Sequence, residues 1–171
     1  MLHFISISLL PILLILAAAS DVLSFRIPNW LTIIIALLFF PMALATGMPW
    51  AAMGLHIIAG AALFLAGFVL FQFGLFGGGD AKLMAAVGLW FGTAQTLPFL
   101  FLTAMAGGAL ALVVGLWSMF LMNLDIYAGD NQIGALHNKL GGIKPNVPYG
   151  FAFAMGGILA FHDTWWITGL A

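Results

Sequence analysis

An all-α, polytopic membrane bundle of about six transmembrane helices is the fold class this sequence predicts, and three observations carry that prediction. Of 171 residues, 64 % are hydrophobic and 5 % charged, where a soluble domain has roughly 25 % charged, so polar groups cannot cover this surface. The apolar residues fall into runs of bilayer-crossing length. The four bases, Arg26, Lys82, Lys139 and Lys144, lie where alternate connections between those runs would be. The same composition excludes a nucleic-acid binder, which needs clustered bases, and the absence of cysteine excludes disulfides, thiolate metal sites and a Cys nucleophile.

Residues 3–20 make the first run, at the short end of the roughly 17–25 residues a span needs. Residues 30–46 make the second, closed by the turn signal Thr46-Gly47-Met48-Pro49. Residues 51–76 are the third, ended by Gly77-Gly78-Gly79-Asp80, which no stable helix interior would contain. Residues 83–122 are apolar over about twice one bilayer thickness, so they split at 92–98 into spans four and five; span four is short enough to be re-entrant instead. After a polar stretch, 123–146, residues 149–161 make the sixth, with Pro148 at its start, where a missing N–H costs nothing. Six spans put all four bases on one face, the cytoplasmic one, and both termini outside. Ala17-Ala18-Ala19-Ser20 looks like a signal-peptide cleavage site, but no base precedes it and Arg26 follows it, so the first span is expected to remain. The expectation is a single membrane-embedded domain, residues 1–171. Gly54, Gly60, Gly67 and Gly74 in span three, with Gly108 and Gly115 in span five, recur at spacings that let helix backbones approach, or are simply common membrane glycines.

Two acids stand out, because an ionisable group at a span costs roughly 2.5–3.5 kcal/mol on insertion scales. Asp21 follows the last apolar residue of span one, and Asp80 heads span four. Two complete spans separate them, out and back, so parity returns both carboxylates to one membrane face. Like charges placed close together in a low dielectric cannot both ionise, so one of such a pair keeps its proton near neutral pH. The ionised member can take a proton from water while the protonated one donates to an amide carbonyl, which hydrolyses a peptide without metal, thiol or serine. The other reading open from these residues alone is that each Asp caps a helix end, solvated at the interface. Gly77, Gly78 and Gly79 allow backbone conformations closed to other residues and leave space beside Asp80 for an extended strand. Lys82, about 200° around the helix from Asp80, is expected to reach the lipid head groups.

Three blocks around these residues are similar to the type IV prepilin peptidase family of membrane aspartic proteases. Asp21-Val-Leu-Ser-Phe-Arg26-Ile-Pro28-Asn29 resembles the family's Asp followed by a base and Ile-Pro-Asn. Gly77-Gly78-Gly79-Asp80-Ala-Lys82 matches its GxGD followed by x-K, and Pro148-Tyr-Gly150 resembles the P-x-G that opens its last helix. The likeness is closest to the short CpaA/TadV-like branch serving tight-adherence (Flp-type) pili. It implies a protein of the bacterial inner membrane that removes the prepilin leader just after a glycine at the cytoplasmic boundary, with Asp21 and Asp80 as the catalytic pair. Arg26, Pro28, Asn29, Gly77, Gly78, Gly79, Lys82, Pro148 and Gly150 would support the loop and substrate. Prepilin and membrane lipid are the implied partners, and neither cofactor nor metal is expected. With no cysteine and no extra N-terminal region of the kind the longer members carry, cleavage without methylation is implied.

Two rival classes remain distinguishable. A small proton-coupled transporter needs acids near the bilayer midplane, whereas these lie at one surface. A non-catalytic pilus-assembly partner needs neither Asp. Among the other polar residues, Asp125 and Asp130 either attract a basic leader or lie in a solvated loop. His56 is expected to be hydrogen-bonded within the bundle, and His3, His137 and His162 share no metal spacing with it. Gln72 and Gln95 are expected to bond across helices, Trp165 and Trp166 beside Asp163 to anchor at the interface, and Arg26 to hold its loop to lipid phosphates.

Overall fold

The computed structural model describes residues 2–128 and 148–168. In chain order they form α1 (Leu2–Ser24), α2 (Asn29–Ala45), α3 (Trp50–Gln72), α4 (Gly78–Ala128), α5 (Tyr149–Ala160), a 3-10 turn (Phe161–Asp163) and α6 (Trp165–Thr168), with no strand among the described residues. Phe4–Ser24, Trp50–Gln72 and Gly78–Phe120 are long and apolar enough to cross a bilayer, and the shorter Asn29–Ala45 is apolar too. The chain is an all-helical membrane bundle, as its composition requires.

Turn chemistry sets the helix ends. Gly47 (φ 70) and Gly74 (φ 71) take the left-handed position just past α2 and α3. Gly47 and Met48 N–H donate there to the Leu44 and Ala43 carbonyls, and Gly74 and Leu75 N–H to those of Phe71 and Leu70, the paired bonds that satisfy a helix C-terminus. Pro28, Pro49 and Pro148 occupy the N-caps of α2, α3 and α5, where a missing N–H leaves nothing unsatisfied. α1 runs on to Ser24, so Asp21 belongs to its end rather than following it. Residues 123–128 continue α4 instead of opening the polar connection. Asp130, His137, Lys139 and Lys144 lie outside the described residues.

The expected division of the long apolar run falls at Gly92 (φ 62, ψ −179), giving α4a (residues 78–91) and α4b (residues 93–128). Contacts fix their directions. Gly60 lies against Ala85 and Leu89, and Gly67 against Ala81 and Met84, so α3 and α4a are antiparallel. Asn29 pairs with Lys82 and Ile35 with Trp90, so α2 and α4a are parallel. Gly156 meets Thr103 and Gly107 meets Ala152, so α5 runs against α4b; Gly150 meets Asp21 and Gly157 meets Leu14, so it also runs against α1. Phe91 packs on Phe161, the far end of α5. The chain therefore reverses at Gly92, and α1, α2, α3, α4a, α4b and α5 alternate in direction.

A helix that stops leaves its last carbonyls without backbone donors. Here two side chains serve them: His56 Nδ1 lies 2.7 Å from the Leu89 oxygen, and Trp166 Nε1–H donates to the Trp90 oxygen at 2.7 Å. The Trp90 indole donates in turn to the Ile35 carbonyl at 2.9 Å. Phe39 stacks on His56 with centroids 5.5 Å apart, and Trp90 and Trp166 lie 4.8 Å apart, so this end of the bundle is plugged by rings. Trp166 is thus fully buried, not the interfacial anchor its position near Asp163 suggested. Burial follows because its indole N–H has a carbonyl to satisfy inside. His56 is the bundle hydrogen-bonder expected. Gln72 and Gln95 make no interhelical hydrogen bond among the described residues.

Of the recurrent glycines, Gly60 and Gly67 bring α3 onto α4a: a Cβ at Gly67 would lie 3.0 Å from Ala81 Cα. Gly54, Gly74, Gly108 and Gly115 face open space and carry no such contact. α5 relies on Gly156, packed on Thr103, and Gly157, packed on Leu14.

Candidate active site

At the end of the bundle opposite the aromatic plug, a pocket of about 520 Å³ opens between the end of α1, the turn into α2 and the start of α4a. Ser20, Asp21, Ser24, Phe25, Arg26, Ile27, Pro28, Asn29, Gly77, Gly78, Gly79 and Asp80 line it. Asp21 and Asp80, far apart in sequence, thus face one cavity, and their charges are close enough to interact.

Each carboxylate is held by a backbone N–H. The Gly77 N–H donates to Asp80 Oδ2 at 3.1 Å, so the acid folds back over the glycine turn that precedes its helix. Gly150 N–H donates to Asp21 Oδ2 at 2.6 Å across the bundle. Gly150 lies in the first turn of α5, whose N–H groups have no partner within the helix and whose N-cap, Pro148, offers no side-chain bond. Asp21, 6 % exposed, supplies that missing acceptor and meets the positive end of the helix dipole. A Cβ at Gly150 would lie 2.8 Å from Asp21 Cβ and 2.9 Å from Oδ2, so only glycine allows this approach. The second oxygen of each carboxylate has no hydrogen bond from the described residues.

The glycine turn acts through space, not through unusual backbone angles. None of Gly77, Gly78 and Gly79 has a positive φ, contrary to the conformational role expected of them. A Cβ at Gly77 would stand 2.8 Å from Asp80 Oδ2, and one at Gly79 3.3 Å from Ile27 Cβ. At Gly78 it would meet only Phe71, at an ordinary 3.5 Å. A methyl at Gly77 would displace the Asp80 carboxylate and one at Gly79 would press on Ile27, whereas the middle position is free.

Lys82 does not turn to the head groups. Its ammonium donates to Asn29 Oδ1 at 2.9 Å, tying the first turn of α4a to that of α2 and so the Asp80 block to the Asp21 block. Arg26 is exposed on the pocket rim and forms no ion pair with either aspartate. Its carbonyl accepts from Ser20 Oγ at 2.9 Å and Ser24 Oγ at 3.3 Å. The structure therefore gathers Asp21, Arg26, Pro28, Asn29, Gly77, Gly78, Gly79 and Asp80 around the pocket, with Lys82 and Gly150 one contact behind and Pro148 capping the helix that carries Gly150. Ser20, Ser24 and Phe25 were missed, because their bonds depend on how α1 ends. Among the described residues no three His, Cys, Asp or Glu side chains gather as metal ligands would.

Fold and site define a class: a membrane-embedded helical bundle that turns two acids into one pocket at one end. The chain belongs to the type IV leader peptidase family, whose family model matches residues 8–112, and it is a protease of leader-peptidase type. That match contains both aspartates, the Arg26–Asn29 turn and the glycine turn, while Pro148 and Gly150 lie beyond it. No curated protein and no solved structure gives a significant match.

Proposed function

We propose that this protein is a membrane aspartic endopeptidase that removes the leader from type IV prepilins of the Flp/Tad type at the cytoplasmic boundary of a bacterial inner membrane. The observation that carries this reading is the shared pocket of Asp21 and Asp80, each anchored through one oxygen by a backbone N–H. Anchoring leaves one oxygen of each for chemistry. The ionised carboxylate takes a proton from water, which attacks the scissile carbonyl; the protonated one donates to the carbonyl oxygen as the tetrahedral intermediate forms. Collapse of the intermediate breaks the C–N bond, with the proton passing to the leaving amine.

The alternation of the six segments supports six crossings within one domain, N-terminus outside. Arg26 and Lys82 both lie at the pocket end, which supports its cytoplasmic placement. A basic leader joined to an apolar helix has its junction at that boundary, level with the two acids. The absence of cysteine fits cleavage without methylation.

Co-expression with a candidate prepilin, scored by the mass of the pilin, tests the reading with Asp21→Asn and Asp80→Asn separately. Each variant is expected to insert and leave the leader attached. Full processing by either variant refutes the dyad.

A further inference from the structure

Among the described residues four helices, α1, α2, α3 and α4a, end on a residue with positive φ, and only one of those residues is not glycine. Past α2 and α3 stand Gly47 and Gly74, each in open space. Past α1 stands Phe25, with φ 50. A bulky aromatic residue rarely adopts this conformation, and strain of this kind persists where surrounding structure holds it, most often at functional sites. The turn alone does not call for a ring, since glycine makes the same turn twice elsewhere in the chain.

The strain is held by three bonds. Phe25 N–H donates to the Asp21 carbonyl at 2.7 Å, and Ser20 and Ser24 hydroxyls donate to the carbonyl of Arg26. Ile27, next along, is buried against Gly79. Packing does not explain the ring: Phe25 is 46 % exposed, outside the core, and stacks on no other ring among the described residues. It lines the pocket, and among the described residues there it is the only large exposed apolar side chain, Ile27 being buried and Pro28 half-buried.

We propose that Phe25 is a specificity-determining residue, its ring receiving an apolar side chain of the substrate next to the bond cleaved at Asp21 and Asp80. The proposal rests on the peptidase reading above. The ring is fixed to the same turn that carries Asp21, so a substrate side chain seated on it is placed in register with the acid.

Phe25→Gly separates this from a structural role, because glycine relaxes the turn while deleting the ring. The full-length protein in detergent is given a synthetic peptide spanning the leader junction, and kcat and KM are measured beside the melting temperature. Melting should hold or rise, while KM rises at least about tenfold, the scale of losing an apolar contact in a pocket. Phe25→Tyr, which keeps a ring on the same turn, should restore most of the lost affinity. Replacing the apolar substrate residue with Ser should raise KM for the native protein and add nothing for Phe25→Gly. Native KM in Phe25→Gly, or a loss of cleavage that follows a lower melting temperature, overturns the proposal. Asp80→Asn run alongside keeps the two readings apart. If the native protein cuts, Asp80→Asn does not, and Phe25→Gly binds normally, only the role of Phe25 falls; if the native protein does not cut, both fall.

Discussion

Gly150→Ala tests how the first acid is held. A methyl there would lie 2.8 Å from Asp21 Cβ, 2.9 Å from Oδ2 and 3.1 Å from Cγ, where ordinary contact begins near 3.4 Å. Either α5 or the Asp21 side chain must move by about half an ångström, the tolerance of a catalytic constellation. The 2.6 Å bond from Gly150 N–H to Oδ2 is lost or bent with it, and hydrogen bonds to charged groups are worth about 1.5–3 kcal/mol. Together these put the loss in kcat/KM at about 10- to 100-fold. The assay is cleavage of a leader-junction peptide by purified protein in liposomes, followed by mass spectrometry. Gly157→Ala is the control: it adds the same group to the same helix, but against the flexible end of Leu14, 2.7 Å away, instead of the acid. Both variants should lower the melting temperature, and only Gly150→Ala should lower kcat/KM beyond what folding accounts for. Native kcat/KM in Gly150→Ala would show that the bond does not position Asp21 for the reaction.

In the glycine turn, Gly77→Ala pushes on Asp80 Oδ2 and should cut kcat/KM about tenfold or more, whereas Gly78→Ala should cost far less; equal losses in the same peptide assay would refute the steric account. Gly92→Ala combines a left-handed backbone with a methyl 2.8 Å from His56 Nε2 and should destabilise the bundle by at least about 2 kcal/mol, read as a lower melting temperature in detergent. Cleavage should fall on both the acid and the alkaline side of its optimum, since the dyad works with one proton shared between two carboxyls; a rate that only rises with pH would contradict it. EDTA should leave the rate unchanged, because no cluster of metal-ligating side chains occurs among the described residues.

Much of this was legible in the residues because the strongest signals are local. Three consecutive glycines before Asp80 mark a boundary between helices, although α3 ends a few residues earlier, ahead of Gly74, and apolar runs of span length need no partner to be recognised. Parity alone brought Asp21 and Asp80 to one end. What escaped depends on contacts between distant segments. Helical phase says correctly that Lys82 does not face Asp80, but says nothing of Asn29 on the neighbouring helix. Trp166 beside Asp163 has the composition of an interfacial anchor, and only the broken end of α4a, with a free carbonyl at Trp90, draws it inside. Phe25 carries no such local signal, because a left-handed helix terminator is ordinarily a glycine. Gly150 was noticed as part of a motif, yet its N–H serves a carboxylate 129 positions earlier, which no local pattern records.

The reversal at Gly92 has a consequence for biosynthesis. Thr96 Oγ1 donates locally to the Gly92 carbonyl at 2.6 Å, and the distant groups that stabilise the turn come from His56, made earlier, and Trp166, made much later. During translation the stretch after Asp80 therefore emerges without one of its two fasteners. Under the proposed six-crossing topology, threading it once instead of twice would deliver every later residue to the wrong leaflet, and Gly150 could never meet Asp21. A histidine and a tryptophan at the plugged end thus secure the turn that brings α5 back along α1, and with it the site of the two acids at the other end.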